Sequence, residues 1–241
     1  MIGIIGFGRF GCLMSKYLTG EFEVYAYDIE DKSSAIRETG AVAASLEEVC
    51  RQKIVILAVP ISGIQDVLKK IAPLLRSHTF VVDVCSVKVY PAKWMEEILP
   101  DHVSILATHP MFGPDSAAKT LVGSKIVLCK VRIDDEHYSQ INSYLASKHL
   151  TVIETTPEEH DKEIAVSLAL THFIGRSLSE FGASQLLIDT EGYKRLLHIL
   201  EVVDHDTWQL FLDMNNYNPY ARKQRMAFIK AMQSIEEKMN Q

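Results

Sequence analysis

Basic charge is scarce in this sequence: 25 Lys and Arg stand against 31 Asp and Glu, a net charge of −6 over 241 residues. A phosphate backbone is gripped by a net basic face, so no nucleic-acid partner is expected. Long apolar runs are missing too. The longest, from Ile54 to Val59, falls far short of the roughly 18 residues of a membrane-span candidate. Cysteine is sparse, and Cys12, Cys50, Cys85 and Cys129 form neither a C-x-x-C pair nor a regular framework. Zinc and disulfides are therefore not indicated, and each cysteine reads as a small buried hydrophobe. With only 8 Pro and 12 Gly against 47% hydrophobic residues, a disordered or collagen-like chain is excluded. Met1 to Ile5 reads as a buried strand, which leaves no room for a signal or transit peptide. The expectation is a soluble, cytoplasmic protein.

What is present is an alternation. Short β-rich runs occur at Ile2–Gly6, Glu23–Asp28, Ile54–Ala58, Phe80–Val84, Ser104–Thr108, Lys125–Cys129 and Thr151–Glu154. Several are continuously apolar, as parallel strands covered on both faces must be. Helical stretches separate them at Arg9–Thr19, Lys32–Thr39, Ile61–Leu75, Pro91–Ile98 and Asp134–His149. This pattern predicts an α/β domain over residues 1–155, a doubly wound, mostly parallel Rossmann-type sheet. After Thr156-Pro157 no strand pattern remains. Residues 156–241 read as an all-helical domain, with helices near Glu158–Glu180, Thr190–Val203, Thr207–Asn215 and Tyr220–Lys238. So small a domain is expected to bury its apolar faces against a neighbour or a second subunit, which makes a homodimer the expected assembly.

The first strand runs into Gly6-Phe7-Gly8-Arg9-Phe10-Gly11, a G-x-G-x-x-G turn that opens a helix. In that setting the three glycines serve, in order, a tight turn, close approach of a pyrophosphate, and helix–strand packing. Free amides at the helix start then meet the phosphates. The same fold calls for an acidic residue about 20 positions on, at the end of the next strand. Asp28 is there. Its carboxylate suits ribose hydroxyls and repels a 2′-phosphate, so NAD is expected ahead of NADP, although Arg9 could contact a phosphate. Val59-Pro60 ends another strand and is expected to flank the dinucleotide.

Two further strand ends carry polar groups. One leads into Cys85-Ser86-Val87-Lys88, the other into His109-Pro110-Met111-Phe112-Gly113-Pro114-Asp115. A histidine leaving a buried strand at a crevice rim can act as a proton acceptor near neutral pH, with Ser86 orienting it or sharing its partner. An ordinary structural histidine fits the bare sequence as well.

The run Thr108-His109-Pro110-Met111-Phe112-Gly113-Pro114 resembles the signature of the prephenate/arogenate dehydrogenase family. Asp83-Val84-Cys85-Ser86-Val87-Lys88 is similar to the family's D-x-x-S-x-K strand end. His160-Asp161, Thr171 to Arg176, Thr190 to Leu197 and Tyr217 to Ala221 resemble its helical-domain segments, the last two those of arogenate-type members. The resemblance implies oxidative decarboxylation of a cyclohexadienol with NAD as hydride acceptor, in tyrosine biosynthesis. It implies His109 as the group acting on the ring hydroxyl, supported by Ser86, with no metal required. His172 and Arg176, four apart and so on one helical face, become candidates for holding the substrate, with Gly113 and Asp115 in the turn beside it. Some relatives place an arginine in the stretch matching Trp208–Asn218; this chain has none there, and Arg222 and Arg225 are the nearby substitutes. Two rival readings remain: another two-domain NAD(P) enzyme of the β-hydroxyacid dehydrogenase or imine reductase type, with Lys162 or Lys194 as its key residue, and an NAD-binding protein without turnover.

Overall fold

The computed structural model describes residues 1–240, which divide into two compact units, Met1–Pro157 and a second beginning at Glu158. In the first, strands and helices follow in the order β1 (Ile2–Ile5), α1 (Arg9–Leu18), β2 (Val24–Tyr27), α2 (Ser33–Glu38), β3 (Val42–Ala43), α3 (Leu46–Cys50), β4 (Ile54–Leu57), α4 (Ile64–Ile71), β5 (Phe80–Asp83), α5 (Val89–Ile98), β6 (Ser104–Pro110), β7 (Lys125–Arg132), α6 (Asp135–Ser147) and β8 (Thr151–Glu154). The eight strands form one sheet in the order β3-β2-β1-β4-β5-β6-β7-β8. Every pairing is parallel except β6 with β7. The expected doubly wound, mostly parallel sheet is what the chain forms.

All four residues of β1 are buried, which is why its sequence is apolar throughout rather than alternating. Its side chains join Val24, Ala26, Ile36 and Ile56 in one core cluster. A second cluster gathers Leu106, Ile126, Leu128 and Leu150 where α6 packs on β6 to β8. The order reverses between β1 and β4, and there the carboxyl ends of β1, β2, β4, β5 and β6 share one edge. Ligands of open α/β sheets bind outside that edge, at the reversal.

Several local expectations change. The Ile61–Leu75 helix is α4 flanked by 3-10 turns at Ile61–Gly63 and Ala72–Leu74. The short elements β3 and α3 are additions to the expected order. Ser45 and Glu48 form a capping box that starts α3, each side chain bonding the other's amide, at 3.2 and 2.8 Å. β6 runs on through Pro110, so His109 does not leave the strand. It lies inside it, opposite Val127 of the antiparallel β7. That pairing carries the strand two residues past the expected end.

The second unit contains α7 (Pro157–Ile164), α8 (Thr171–Phe181), α9 (Glu191–Asp204), α10 (Trp208–Asn216) and α11 (Ala221–Met239). A π-helical stretch, Ala165–Leu170, joins α7 to α8. Such wide turns inside α-helices often mark functional positions. Gly182, at φ +80°, ends α8 in the left-handed conformation. Gly175 lets α9 come close, because a Cβ there would lie 2.5 Å from a methyl of Val203.

Candidate functional site

The glycine turn is shaped by contacts that only glycine allows. Gly6 has φ +97°, and an added Cβ would sit 2.4 Å from the Ala58 carbonyl oxygen and 2.8 Å from Val59. At Gly11 an added Cβ would lie 2.2 Å from the Gly6 carbonyl oxygen. These two close packings seat the start of α1 against the end of β4, which brings Val59 beside the turn. Gly8 differs: a Cβ there meets nothing within 4 Å. It is the N-cap of α1 and offers no side-chain cap, so the space beside the helix start is open. That is the cradle a pyrophosphate needs. Pro60 is exposed just beyond, at the start of the 3-10 turn.

Asp28 follows β2 and reaches back to the turn. One carboxylate oxygen accepts the Phe7 amide at 2.5 Å, and the other accepts the Glu30 amide at 2.9 Å. A cavity of about 300 Å³ opens beside it, with Glu30, Asp31, Lys32 and Ile36 among its walls. Lys32 is paired with Glu30 at 2.7 Å, so the cavity's charge balance is anionic. A ribose fits this chemistry, and a 2′-phosphate does not.

Beyond β5 the polar groups are locked in a buried network. Asp83 and Lys88 are fully buried and paired. Lys88 also donates to the Thr108 carbonyl at 2.5 Å, and Asp83 accepts the amides of Cys85 at 3.0 Å and Thr108 at 3.2 Å. The Thr108 hydroxyl closes the circuit onto the Asp83 carbonyl at 2.6 Å. The residue before His109 is therefore held from three directions, which fixes where the His109 backbone lies. Sequence alone gives Asp83 and Lys88 no role of their own within the D-x-x-S-x-K run; their spacing is the signal that points to them.

Among the described residues, three buried side-chain polar atoms have no hydrogen-bond partner: Ser86 Oγ, His172 Nδ1 and Arg176 Nε. In native proteins such orphans are few, and each calls for an explanation. His109, 6% exposed, lies on β6 and Ser86 just past the adjacent β5, both at the carboxyl edge of the sheet. In the second unit His172 and Arg176 share a face of α8. His172 Nε2 lies 3.7 Å from Asp206, and Arg176 donates to the Asp206 carbonyl while its guanidinium stands 5.7 Å over the Trp208 ring. Burial pulls the His172 pKa below its ordinary value; Asp206 opposes that shift and Arg176 adds to it.

The remaining candidates are placed differently. Arg9 pairs with both carboxylate oxygens of Asp115, at 2.7 and 2.8 Å, a link between the glycine turn and the loop after β6 that the sequence did not reveal. Phe10 stands 6.2 Å from Phe112, centroid to centroid. The Gly113 amide donates to the Ser116 hydroxyl at 3.0 Å, tightening the same loop. Arg225 is engaged by Asn215, and burial, with Arg222 nearby, lowers its pKa; Arg222 is exposed. Lys162 and Lys194 are surface residues paired with Glu159 at 2.6 Å and Glu191 at 3.2 Å, unlike a desolvated catalytic lysine. Among the described residues no cluster suited to a metal ion occurs, and no helix is long and apolar enough to cross a membrane.

Comparison with known proteins adds the following. The family model described as prephenate dehydrogenase, nucleotide-binding domain, matches residues 16–154, and one described as TYRAAT1-like, C-terminal domain, matches 177–241. Arogenate dehydrogenase 1, chloroplastic, of Arabidopsis thaliana is 33% identical over 99% of this chain, and arogenate dehydrogenase 2, chloroplastic, of the same plant is 32% identical over the same share. The chain spans 39% of the first of these relatives and 69% of the second. Among solved structures, a prephenate dehydrogenase from A. aeolicus in complex with hydroxyphenyl propionate and NAD+ matches with TM-score 0.79 at 22% identity, over 98% of this chain and 89% of that one. A Synechocystis arogenate dehydrogenase matches with TM-score 0.71 at 20% identity, over 99% of this chain and 92% of that one. These two establish likeness of fold.

Proposed function

Because the chain belongs to the prephenate/arogenate dehydrogenase family, we propose that it catalyses the NAD-dependent oxidative decarboxylation of prephenate, arogenate or both, in tyrosine biosynthesis. The observation that supports this reading is that each unit, taken by itself, holds buried polar atoms without a partner. Ser86 Oγ borders the strand end that carries His109, and His172 Nδ1 and Arg176 Nε share one helical face. Unmet hydrogen-bonding capacity at these positions suits an oxygen-rich acid.

In this reading His109 takes the proton of the ring 4-hydroxyl while Ser86 bonds that hydroxyl or steadies the imidazole. Gly6, Phe7, Gly8, Arg9, Phe10, Gly11, Asp28, Val59 and Pro60 would hold a nicotinamide dinucleotide, which would supply the hydride acceptor. As the C–H electron pair leaves as hydride, the O–H pair becomes the carbonyl. Loss of the ring carboxylate as CO2 then returns electrons to the ring, and His109 gives its proton back to the phenolate oxygen. His172 and Arg176 hold a substrate carboxylate. Gly113 and Asp115 border the substrate, and Asp115 meets an ammonium only when its pair with Arg9 opens. Arg222 and Arg225 are the secondary anion ligands.

Phe181, Leu187, Ile188, Trp208, Met232 and Ile235 are exposed on the helical unit, which supports a homodimer built through it. None of the four cysteines is joined in a disulfide among the described residues, which supports a reducing compartment such as the cytoplasm.

The test is a four-way assay of prephenate and arogenate against NAD and NADP. NADH absorbance with matching CO2 release is expected with NAD and at least one acid. No turnover in all four combinations overturns the proposal. Sedimentation of the same protein reads the dimer, and a monomer at micromolar concentration refutes it.

A further inference from the structure

Strand β5 leaves the sheet before its neighbour β6 ends. Their pairing stops at Asp83 with Ala107, whereas β6 runs on through Thr108, His109 and Pro110 with β7 on its other side. In a parallel ladder every second residue of a strand turns both its amide and its carbonyl toward the same neighbour. On β6 that series begins with Ser104, whose amide donates to the Thr79 carbonyl at 2.9 Å, and it reaches Thr108 after Leu106. By this alternation the Thr108 carbonyl is due the amide of Cys85. Instead the Cys85 amide donates to the Asp83 carboxylate at 3.0 Å, and the Lys88 ammonium donates to the Thr108 carbonyl at 2.5 Å in its place.

A fully buried charged side chain thus stands in for a backbone amide. As a source of stability this is a poor choice, because desolvating two charges often costs more than their attraction returns, and an apolar pair of similar volume commonly serves as well. What the pair supplies is geometry. One Asp83 carboxylate oxygen takes the amide of Cys85, the residue before Ser86, and the other takes the amide of Thr108, the residue before His109, at 3.2 Å. The Thr108 hydroxyl adds a further tie, donating to the Asp83 carbonyl at 2.6 Å. The chain after β5 can therefore turn away and carry Ser86 off the ladder, while both segments stay fastened to one carboxylate.

We propose that Asp83, Lys88 and Thr108 are positioning residues for the reaction: their side chains continue the β5–β6 ladder past its end and set the spacing of Ser86 and His109. The proposal rests on the roles given to those two groups in the catalytic reading. The three residues act through the backbone at Cys85 and Thr108 rather than on the substrate. A reacting group displaced by about an ångström can lose roughly 10²-fold in rate, so kcat responds to these ties more steeply than folding does.

Thr108→Val keeps the shape of the side chain and removes the hydroxyl tie; Thr108→Ser keeps the tie. The valine variant is expected to lower kcat about tenfold while the KM values for NAD and for the acid stay within about twofold, and the serine variant is expected to keep most of the rate. Amide hydrogen exchange at Cys85, Ser86 and His109, read without substrate, should quicken in the valine variant and not in the serine one. When Asp83→Asn is added to Lys88→Met, the unfolding temperature should recover in part while kcat stays down by about 10²-fold, a split that a purely structural pair would not give. An unchanged kcat in Thr108→Val, equal losses in the two Thr108 variants, or a kcat that recovers along with stability in the double variant overturns the proposal. If the unsubstituted chain turns over neither acid, it is the catalytic reading that fails. The exchange comparison then decides the clamp by itself, and unchanged exchange in the valine variant overturns it.

Discussion

The two units differ in how the buried polar groups beside their candidate residues are satisfied. In the nucleotide-binding unit Asp83, Lys88 and Thr108 satisfy one another completely, and Ser86 Oγ is the one orphan among the described residues. In the helical unit His172 and Arg176 keep buried nitrogens unpaired on a single face. A satisfied network in a low-dielectric interior is rigid, whereas an unsatisfied donor persists where something else is to complete it. The contrast therefore separates groups that hold geometry from the groups proposed to meet a ligand, and it can be broken experimentally at each of them.

The largest expected effect is at His109. His109→Ala should lower kcat by about 10²–10⁴, the usual worth of general-base help. NAD affinity, measured by calorimetry, should stay within about twofold because the role proposed for His109 is toward the substrate alone. A matching loss of cofactor binding would place His109 with the holding groups and erase the contrast. Next is Lys88→Met, which leaves a fully buried Asp83 carboxylate without its counter-charge. Denaturant unfolding should show a loss of about 3–5 kcal/mol. Adding Asp83→Asn removes the stranded charge and keeps an acceptor oxygen for one of the two amides, Cys85 or Thr108, so the double variant should regain part of that loss. No recovery would mean that the pair is not what Lys88 serves.

Which of these features the sequence discloses follows from their range. The parallel strands were legible because burial on both faces makes them continuously apolar, as in β1 and β4. The glycine turn was legible because its contacts are local and demand one residue type. β3 was not, since two residues carry no period. β6 was cut short because proline normally ends a strand, and the antiparallel partner that carries it through Pro110 lies more than a dozen residues on. Within the candidate site, spacing brought His172 and Arg176 together. The Arg9–Asp115 pair spans 106 positions, and the Asp206 contact of His172 crosses from one helix to the end of another. Nothing periodic announces either.

A smaller effect is expected at Asp28. Asp28→Asn keeps an oxygen for the Phe7 amide but removes the charge, which separates holding the turn from choosing the cofactor. The ratio of NADP to NAD affinity should rise about tenfold, a change of about 1.4 kcal/mol. An unchanged ratio would assign the anionic character of that cavity to Glu30 and Asp31 instead.

The smallest effect belongs to His172 and concerns stability. Its pKa in the folded chain lies below the ordinary 6.5, first because burial penalises the imidazolium and then because Arg176 repels it, with Asp206 pulling the other way. On acidification the unfolded chain therefore takes up this proton before the folded one does. Stability attributable to His172 is complete above about pH 6.5 and declines as pH falls from there through the lower folded pKa. Unfolding temperatures from pH 7.5 to 5 should thus fall more for the unsubstituted protein than for His172→Gln, which has no proton to take up. A bound carboxylate acid would reverse the local sign by stabilising the imidazolium, so saturating substrate should flatten the difference. If the two pH profiles run parallel without ligand, His172 is not held neutral by burial. Its orphan nitrogen then ceases to distinguish the helical face from the satisfied network of the first unit.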